Sequence, residues 1–222
     1  MGQITVFGAG GRAGRAVTEE ALHRGHTVTA AVRDPLKHAG LARPGLSVAG
    51  ADITDPAAVA AAVKGADAVV HAVSPFSGPQ DGFAGLDPEF FVKAADALTE
   101  GMAAAGVERL LVVGLFANLS ADGAGLVMDD PALFPPEIRP FARSHTAGLE
   151  RLRETAAPDW LMLTPPALLV PDGERTGRYH LRDESEPRVS DTQLSYADLA
   201  VAIVDEVESP SHHRTRVAVV GG

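Results

Sequence analysis

The sequence contains no cysteine. Disulfides, thiol nucleophiles and thiolate metal sites are therefore excluded together. Two other reactive residue types are scarce: the only lysines are Lys37, Lys64 and Lys93, and the only tyrosines are Tyr179 and Tyr196. No apolar run approaches the roughly 20 residues needed to cross a bilayer, so no membrane partner is expected. Residue 2 already leads into an extended segment, which leaves no space for a secretory leader, and a cytoplasmic protein is expected. Positive charge is in deficit. The net charge of −10 and the pI near 5.2 speak against binding the phosphate backbone of nucleic acid. His212 and His213 have no third ligand at useful spacing, so no metal site is expected. There is neither an internal repeat nor a linker.

What the chain has is regular alternation. Its 222 residues, 45% of them hydrophobic, suffice for one α/β domain spanning residues 1–222. Extended apolar runs are predicted at 3–7, 27–32, 46–49, 67–73, 108–113 and 160–164, with helices at 12–24, 56–63, 88–105 and 137–155 between them. A helix at 196–208 and a strand at 216–220 close the chain, and 179–181 reads as a short strand. Asp55 before Pro56 has the form of a helix N-cap followed by proline in the first turn. Strands that are apolar on both faces, alternating with helices, predict a doubly wound parallel sheet. Regularity fails at 118–136 and 171–193. The substrate-side loops are accordingly placed at about 115–136 and 165–195, after the carboxyl ends of sheet strands, where ligands of such sheets sit.

The first strand runs into Gly8-Ala9-Gly10-Gly11-Arg12-Ala13-Gly14, which opens a helix. Backbone N–H groups at a helix start, freed of side chains by glycine, form a phosphate cradle. Gly8 serves the tight turn, Gly11 the approach of a pyrophosphate, and Gly14 the close packing of helix on strand. Gly10 and Ala13 belong to the same loop. The second strand ends in Arg33, where enzymes that choose NAD usually place a carboxylate. An arginine there, with Arg12 closing from the loop, pairs with a 2′-phosphate and predicts NADP(H) over NAD(H). Asp34 leaves the alternative open, since a carboxylate turned to the ribose favours NAD(H).

These segments resemble atypical short-chain dehydrogenases/reductases of the NAD(P)H-binding, NmrA-like kind, which have a Rossmann-type fold. Within that group they are most similar to NADH-flavin reductases, relatives of biliverdin-IXβ (flavin) reductase. The resemblance rests on the glycine loop, Val32-Arg33-Asp34-Pro35, residues 50–55, His71-Ala72-Val73-Ser74, Asp159-Trp160 through Pro165-Pro166, residues 173–179 and Ser195-Tyr196-Ala197-Asp198-Leu199-Ala200. It implies that Asp52 and Ile53 contact the adenine edge. Ala72, Val73 and Ser74 then line the ribose and nicotinamide side, and Pro165 and Pro166 pack beside the nicotinamide. Arg175 and Arg178 would flank the acceptor, either of them able to steer an anion, although simple solvation is the expected role for each, and Asp198 is read as an anchor of the last helix. The chain departs from the pattern after the fifth strand, where Phe116 adds bulk and Asn118 replaces a serine.

Most short-chain dehydrogenases protonate their product through Tyr-x-x-x-Lys on the helix after strand five. Here that helix offers Phe141 and His145 instead. Candidate catalytic residues are therefore Ser74, Asn118 and His145, the last as a proton donor if it is not merely solvated on the helix surface. Without the dyad, the expected reaction is hydride transfer to a planar conjugated small-molecule acceptor such as a flavin or quinone, whose new charge is delocalised. Alternatives are a dinucleotide-sensing regulator that does not turn over and, less well matched, an isomerase or nucleotide-sugar enzyme. A monomer or a homodimer fits equally.

Overall fold

The computed structural model describes residues 1–75, 85–120, 125–183 and 193–222. Ten strands and five helices lie among them, in an α/β arrangement of the Rossmann type. In chain order these are β1 (Gln3–Phe7), α1 (Arg12–His23), β2 (Thr27–Val32), β3 (Leu46–Gly50), α2 (Pro56–Val63), β4 (Ala68–His71), α3 (Phe90–Ala105) and β5 (Arg109–Val113). Then follow α4 (Arg139–Arg153), β6 (Asp159–Thr164), β7 (Leu168–Val170), β8 (Tyr179–Asp183), β9 (Gln193–Ser195), α5 (Tyr196–Glu208) and β10 (Thr215–Gly221).

Eight strands form one sheet in the order β3-β2-β1-β4-β5-β6-β10-β8. All pair in parallel except β8, which runs antiparallel along the edge of β10. Helices α1 and α5 bury one face of the sheet, with Val17, Ala21, Leu199 and Ile203 against Ile4, Val6 and Val217. Helices α2, α3 and α4 bury the other, where Trp160 packs among Leu98, Met102 and Leu149. Chain order reverses at β1, between β2 and β4, and the crevice opens there.

Local chemistry explains most element limits. The Asp55 carboxylate accepts from the Ala57 and Ala58 N–H groups at 2.9 and 3.3 Å, so α2 starts where its cap places it. Ser195 does the same for α5, accepting from the Asp198 N–H at 2.9 Å. Strand β4 stops short of the predicted 67–73. The N–H of Val73 donates to Nδ1 of His71 at 3.2 Å, and this side-chain acceptor replaces the next rung of the ladder. Helix α4 begins two residues later than predicted because Pro136–Ile138 forms a separate 3₁₀ turn.

Two features differ from expectation in kind. Strands β7 and β9 pair with each other in a small parallel sheet inside a region read as irregular. The segment after β5 has a core of its own: Ala117, Leu119, Val127, Met128 and Phe134 pack with Ala142, Ala218 and Val220. Its described residues are packed rather than open to solvent throughout.

Candidate dinucleotide site

The turn after β1 is shaped by close backbone approach. Gly8 has φ +83°, and a Cβ there would lie 2.6 Å from the carbonyl oxygen of Ala72. A Cβ on Gly14 would lie 2.2 Å from the carbonyl oxygen of Gly8, so only a bare Cα lets α1 press against the turn. Gly11 is the N-cap of α1 and provides no side-chain cap, which leaves the first-turn amides without an intrahelical acceptor. These amides, together with the positive end of the helix dipole, suit a diphosphate.

The turn faces a cleft of about 1110 Å³ that runs across the carboxyl ends of β1 to β6. That exceeds the roughly 300–1,000 Å³ typical of a site for one small ligand. Of the residues expected to bind cofactor, Gly8, Gly10, Gly11, Arg12, Ala13, Arg33, Asp52, Ile53, Ala72, Val73, Ser74, Pro165 and Pro166 all line it. Gly14 lies beneath the turn instead. The fit to a dinucleotide is therefore direct: a side chain at Gly8 or Gly14 would destroy the cradle, and the walls follow the length of the crevice.

Near the glycine turn and the end of β2, Arg12 and Arg33 are both exposed in the wall. Asp34 turns away. Its carboxylate accepts from the N–H groups of Leu36 and Lys37 at 3.2 and 3.4 Å and pairs with the Lys37 ammonium at 3.4 Å. Asp52 accepts from the N–H and hydroxyl of Thr54 at 2.9 and 2.8 Å while it lines the cleft. Those bonds, with the charge of Arg33 beside them, hold its carboxyl below the usual carboxylate range. His38, which no sequence signal marked, also lines the wall, and its imidazole occupies the space a Cβ on Gly10 would need.

The far end of the cleft is aromatic. Every phenylalanine among the described residues lines the cleft: Phe7 at the glycine turn, and Phe90, Phe91, Phe116, Phe134 and Phe141 away from it. Phe116 meets Phe134 edge-on at 5.6 Å between centroids, and Phe91 meets Phe141 at 5.7 Å. Only Phe116 and Phe141 were anticipated in this context. The others come from separate segments, and nothing in their spacing brings them together.

His145 is not a solvated surface histidine. It is 5% exposed, and its ring centroid lies 4.5 Å from that of Phe91. Arg216 donates to the Asn118 carbonyl oxygen at 2.7 Å and to Oδ1 at 2.9 Å. The Asn118 amide must therefore aim its NH₂ at His145, where it meets Nδ1 at 3.4 Å. Nδ1 is the acceptor, and the ring proton sits on the other nitrogen. Burial pushes the His145 pKa down to about 4; a bond to the backbone of Val113 opposes this and the charge of Arg216 adds to it. His71 is also buried, and its pKa is pushed down to about 3. Both rings are neutral near pH 7. His145 and exposed Ser74 reach the cleft, whereas Asn118 is 1% exposed and stands behind His145, outside the wall.

Arg175 is held by Glu20 of α1 through two bonds of 2.7 Å, exposed Arg178 is solvated, and neither lines the cleft or flanks its ligand. Asp198 fastens a loop rather than its own helix. It accepts from the Thr176 N–H and hydroxyl at 2.9 and 2.8 Å and from the Gly177 N–H at 2.7 Å. Among the described residues no cluster of His, Asp or Glu is arranged to hold a metal, and no helix is long and apolar enough to cross a membrane.

Comparison with known proteins settles the lineage. The family model described as NAD(P)H-binding matches residues 8–210. The chain belongs to that NAD(P)H-binding family. It is similar to the uncharacterized protein YwnB of Bacillus subtilis, with 34% identity over 98% of each chain. Among solved structures it resembles a putative NADH-flavin reductase from Streptococcus pneumoniae (30% identity, TM-score 0.79, all of both chains). It also resembles a putative epimerase from Bacteroides thetaiotaomicron (32% identity, TM-score 0.83, 99% of this chain and 97% of that one). Membership supports a nicotinamide dinucleotide as the cofactor of this chain.

Proposed function

We propose that this protein is an NADPH-preferring reductase of a planar conjugated acceptor, a flavin or a quinone. The observation that carries the reading is the gathering of phenylalanines at one end of a dinucleotide cleft, in a chain where aromatic residues make up only 5%. Flat apolar walls take up flat rings and exclude water. Bound there, the nicotinamide supplies the hydride, and solvent supplies the one proton that completes a two-electron reduction. The chain's own part is placement: the glycine turn and α1 fix the diphosphate, Pro165 and Pro166 back the nicotinamide, and Ser74 offers a polar contact beside it. Orientation of this kind contributes about 7–11 kcal/mol to a bimolecular reaction.

The similarity to an NADH-flavin reductase supports this reading. The preference for NADPH draws on Arg12 and Arg33 in the wall, and on Asp34 being committed to its own turn. A second reading, a dinucleotide sensor without turnover, is favoured by the neutral His145, which leaves no acid beside the reacting ring. An epimerase reading is weakened by the missing Tyr-x-x-x-Lys pair. Oxidation of NADPH, followed at its absorbance band with riboflavin, FMN and simple quinones, decides among them. Turnover with any flat acceptor is expected. Tight NADP⁺ binding with no turnover on all of them refutes the reductase.

A further inference from the structure

Charge is divided along the cleft wall. Arg12 and Arg33 stand at the end built on β1 to β3, with Asp52 satisfied by Thr54. At the aromatic end, among the described residues, the only ionised side chain in the wall is Asp87, just ahead of α3. Its carboxylate holds the Lys93 ammonium at 2.8 Å, and the Glu89 carboxylate approaches the same ammonium at 3.6 Å. Two carboxylates sharing one ammonium leave this corner with a net charge of −1. Arg175, which would have offered a guanidinium to an anion, is held by Glu20 instead.

We infer that the acceptor end selects uncharged flat rings, the quinone and unphosphorylated isoalloxazine class, and discriminates against rings that carry an anionic group. The inference rests on the reductase reading and narrows it. An anion pressed against phenylalanine loses hydration without gaining a cation, and the Asp87 corner repels it. A neutral ring meets neither cost. The same division orients the ligands: the cationic end takes the phosphates, and among the described wall residues at the aromatic end an anionic acceptor meets no cation.

The test compares 1,4-naphthoquinone with 1,4-naphthoquinone-2-sulfonate by equilibrium dialysis against the full-length protein saturated with NADP⁺. The neutral quinone is expected to bind about tenfold or more tightly than the sulfonate. Asp87→Asn, which brings the corner to neutrality, is expected to narrow that gap severalfold and to leave NADP⁺ affinity unchanged. Equal or tighter binding of the sulfonate overturns the inference, as does a gap that Asp87→Asn leaves intact. The two readings fail separately. If NADP⁺ binds but neither ring does, the inference and the reductase reading fall together. If the sulfonate binds tightly and NADPH is oxidised by it, only the inference falls.

Discussion

Lowering the pH from about 8 to about 5 is expected to cost this fold about 4 kcal/mol through two histidines alone. His145 and His71 have folded-state pKa values pushed by burial to about 4 and about 3, against 6.5 for a free imidazole. The unfolded chain therefore binds protons that the folded chain refuses, and stability rises with pH wherever that difference exists. Their contribution is complete above about pH 6.5. It falls through the window from 6.5 to about 4 for His145, and to about 3 for His71. At pH 5 each ring has forfeited roughly 1.5 pH units at 1.36 kcal/mol per unit, or about 2 kcal/mol. The carboxylates held low, such as Glu20 at about 2, lose their contribution as pH falls from about 4.5 towards 2, so they overlap the lower part of the histidine window but weigh little in a comparison of pH 8 with pH 5. Urea unfolding at the two pH values measures the difference. The paired variant His71→Leu/His145→Phe should flatten the pH dependence even though it lowers stability at every pH, because the Asn118 amide loses its acceptor. A wild-type fall below about 1 kcal/mol, or an unchanged fall in the paired variant, refutes the buried neutral pair. The same experiment bears on mechanism: an imidazole neutral at working pH is not the acid that protonates product.

Three other perturbations have defined outcomes. Arg33→Ala should raise the KM for NADPH about 10- to 100-fold, the value of one charge-assisted phosphate contact, and leave that for NADH nearly unchanged; Asp34→Ala should leave the ratio of the two as it is. Gly14→Ala places a Cβ 2.2 Å from a backbone oxygen, and is expected to cost about 1–3 kcal/mol in a thermal melt and to abolish NADP⁺ binding in a titration. Asp198→Ala frees three donors of the 176–177 loop, and should cost about 2–4 kcal/mol in urea unfolding while NADP⁺ affinity, measured in parallel, is retained.

The parts of the fold visible in the sequence are those set by local rules. The limits of α2 follow from Asp55 and Pro56, and the turn after β1 follows from Gly8 and Gly14, whose missing side chains leave room for neighbouring backbone. The glycine loop and Arg33 were legible for the same reason, since a crossover fixes where its own ends go, whereas residues 52–53 and Pro165-Pro166 were placed by the family resemblance. What was hidden depends on contacts between distant segments. Strands β7 and β9 are three residues each, too short for a period, and exist because they pair across more than twenty residues. His145 looked like a surface residue of α4 because its burial comes from Phe91 on α3 and from Asn118 after β5. Asp34 looked ambiguous, although an aspartate before proline is a common turn former, and it is the turn that claims the carboxylate. His38 gave no signal at all, since its place is set by the bareness of Gly10.

On the proposed reductase reading, Phe141 and His145 at the spacing where most short-chain dehydrogenases carry Tyr-x-x-x-Lys change what this site would catalyse. A general acid contributes about 10²–10⁴-fold where an alkoxide must be protonated as it forms. Phe141 has no proton to give, and His145 is buried, bonded to Asn118 and neutral. An ordinary ketone would therefore be reduced slowly here. A quinone or isoalloxazine spreads the incoming charge over its ring and takes its proton afterwards, so it forgoes little when the acid is absent. It gains from what replaced the acid: Phe141 completes an aromatic wall with Phe91, 5.7 Å away, where a hydroxyl would have needed a partner. The substitution that removes carbonyl chemistry thus also builds the surface that a flat acceptor needs. This coupling explains why a cleft poor in acid–base groups need not be a catalytically silent one.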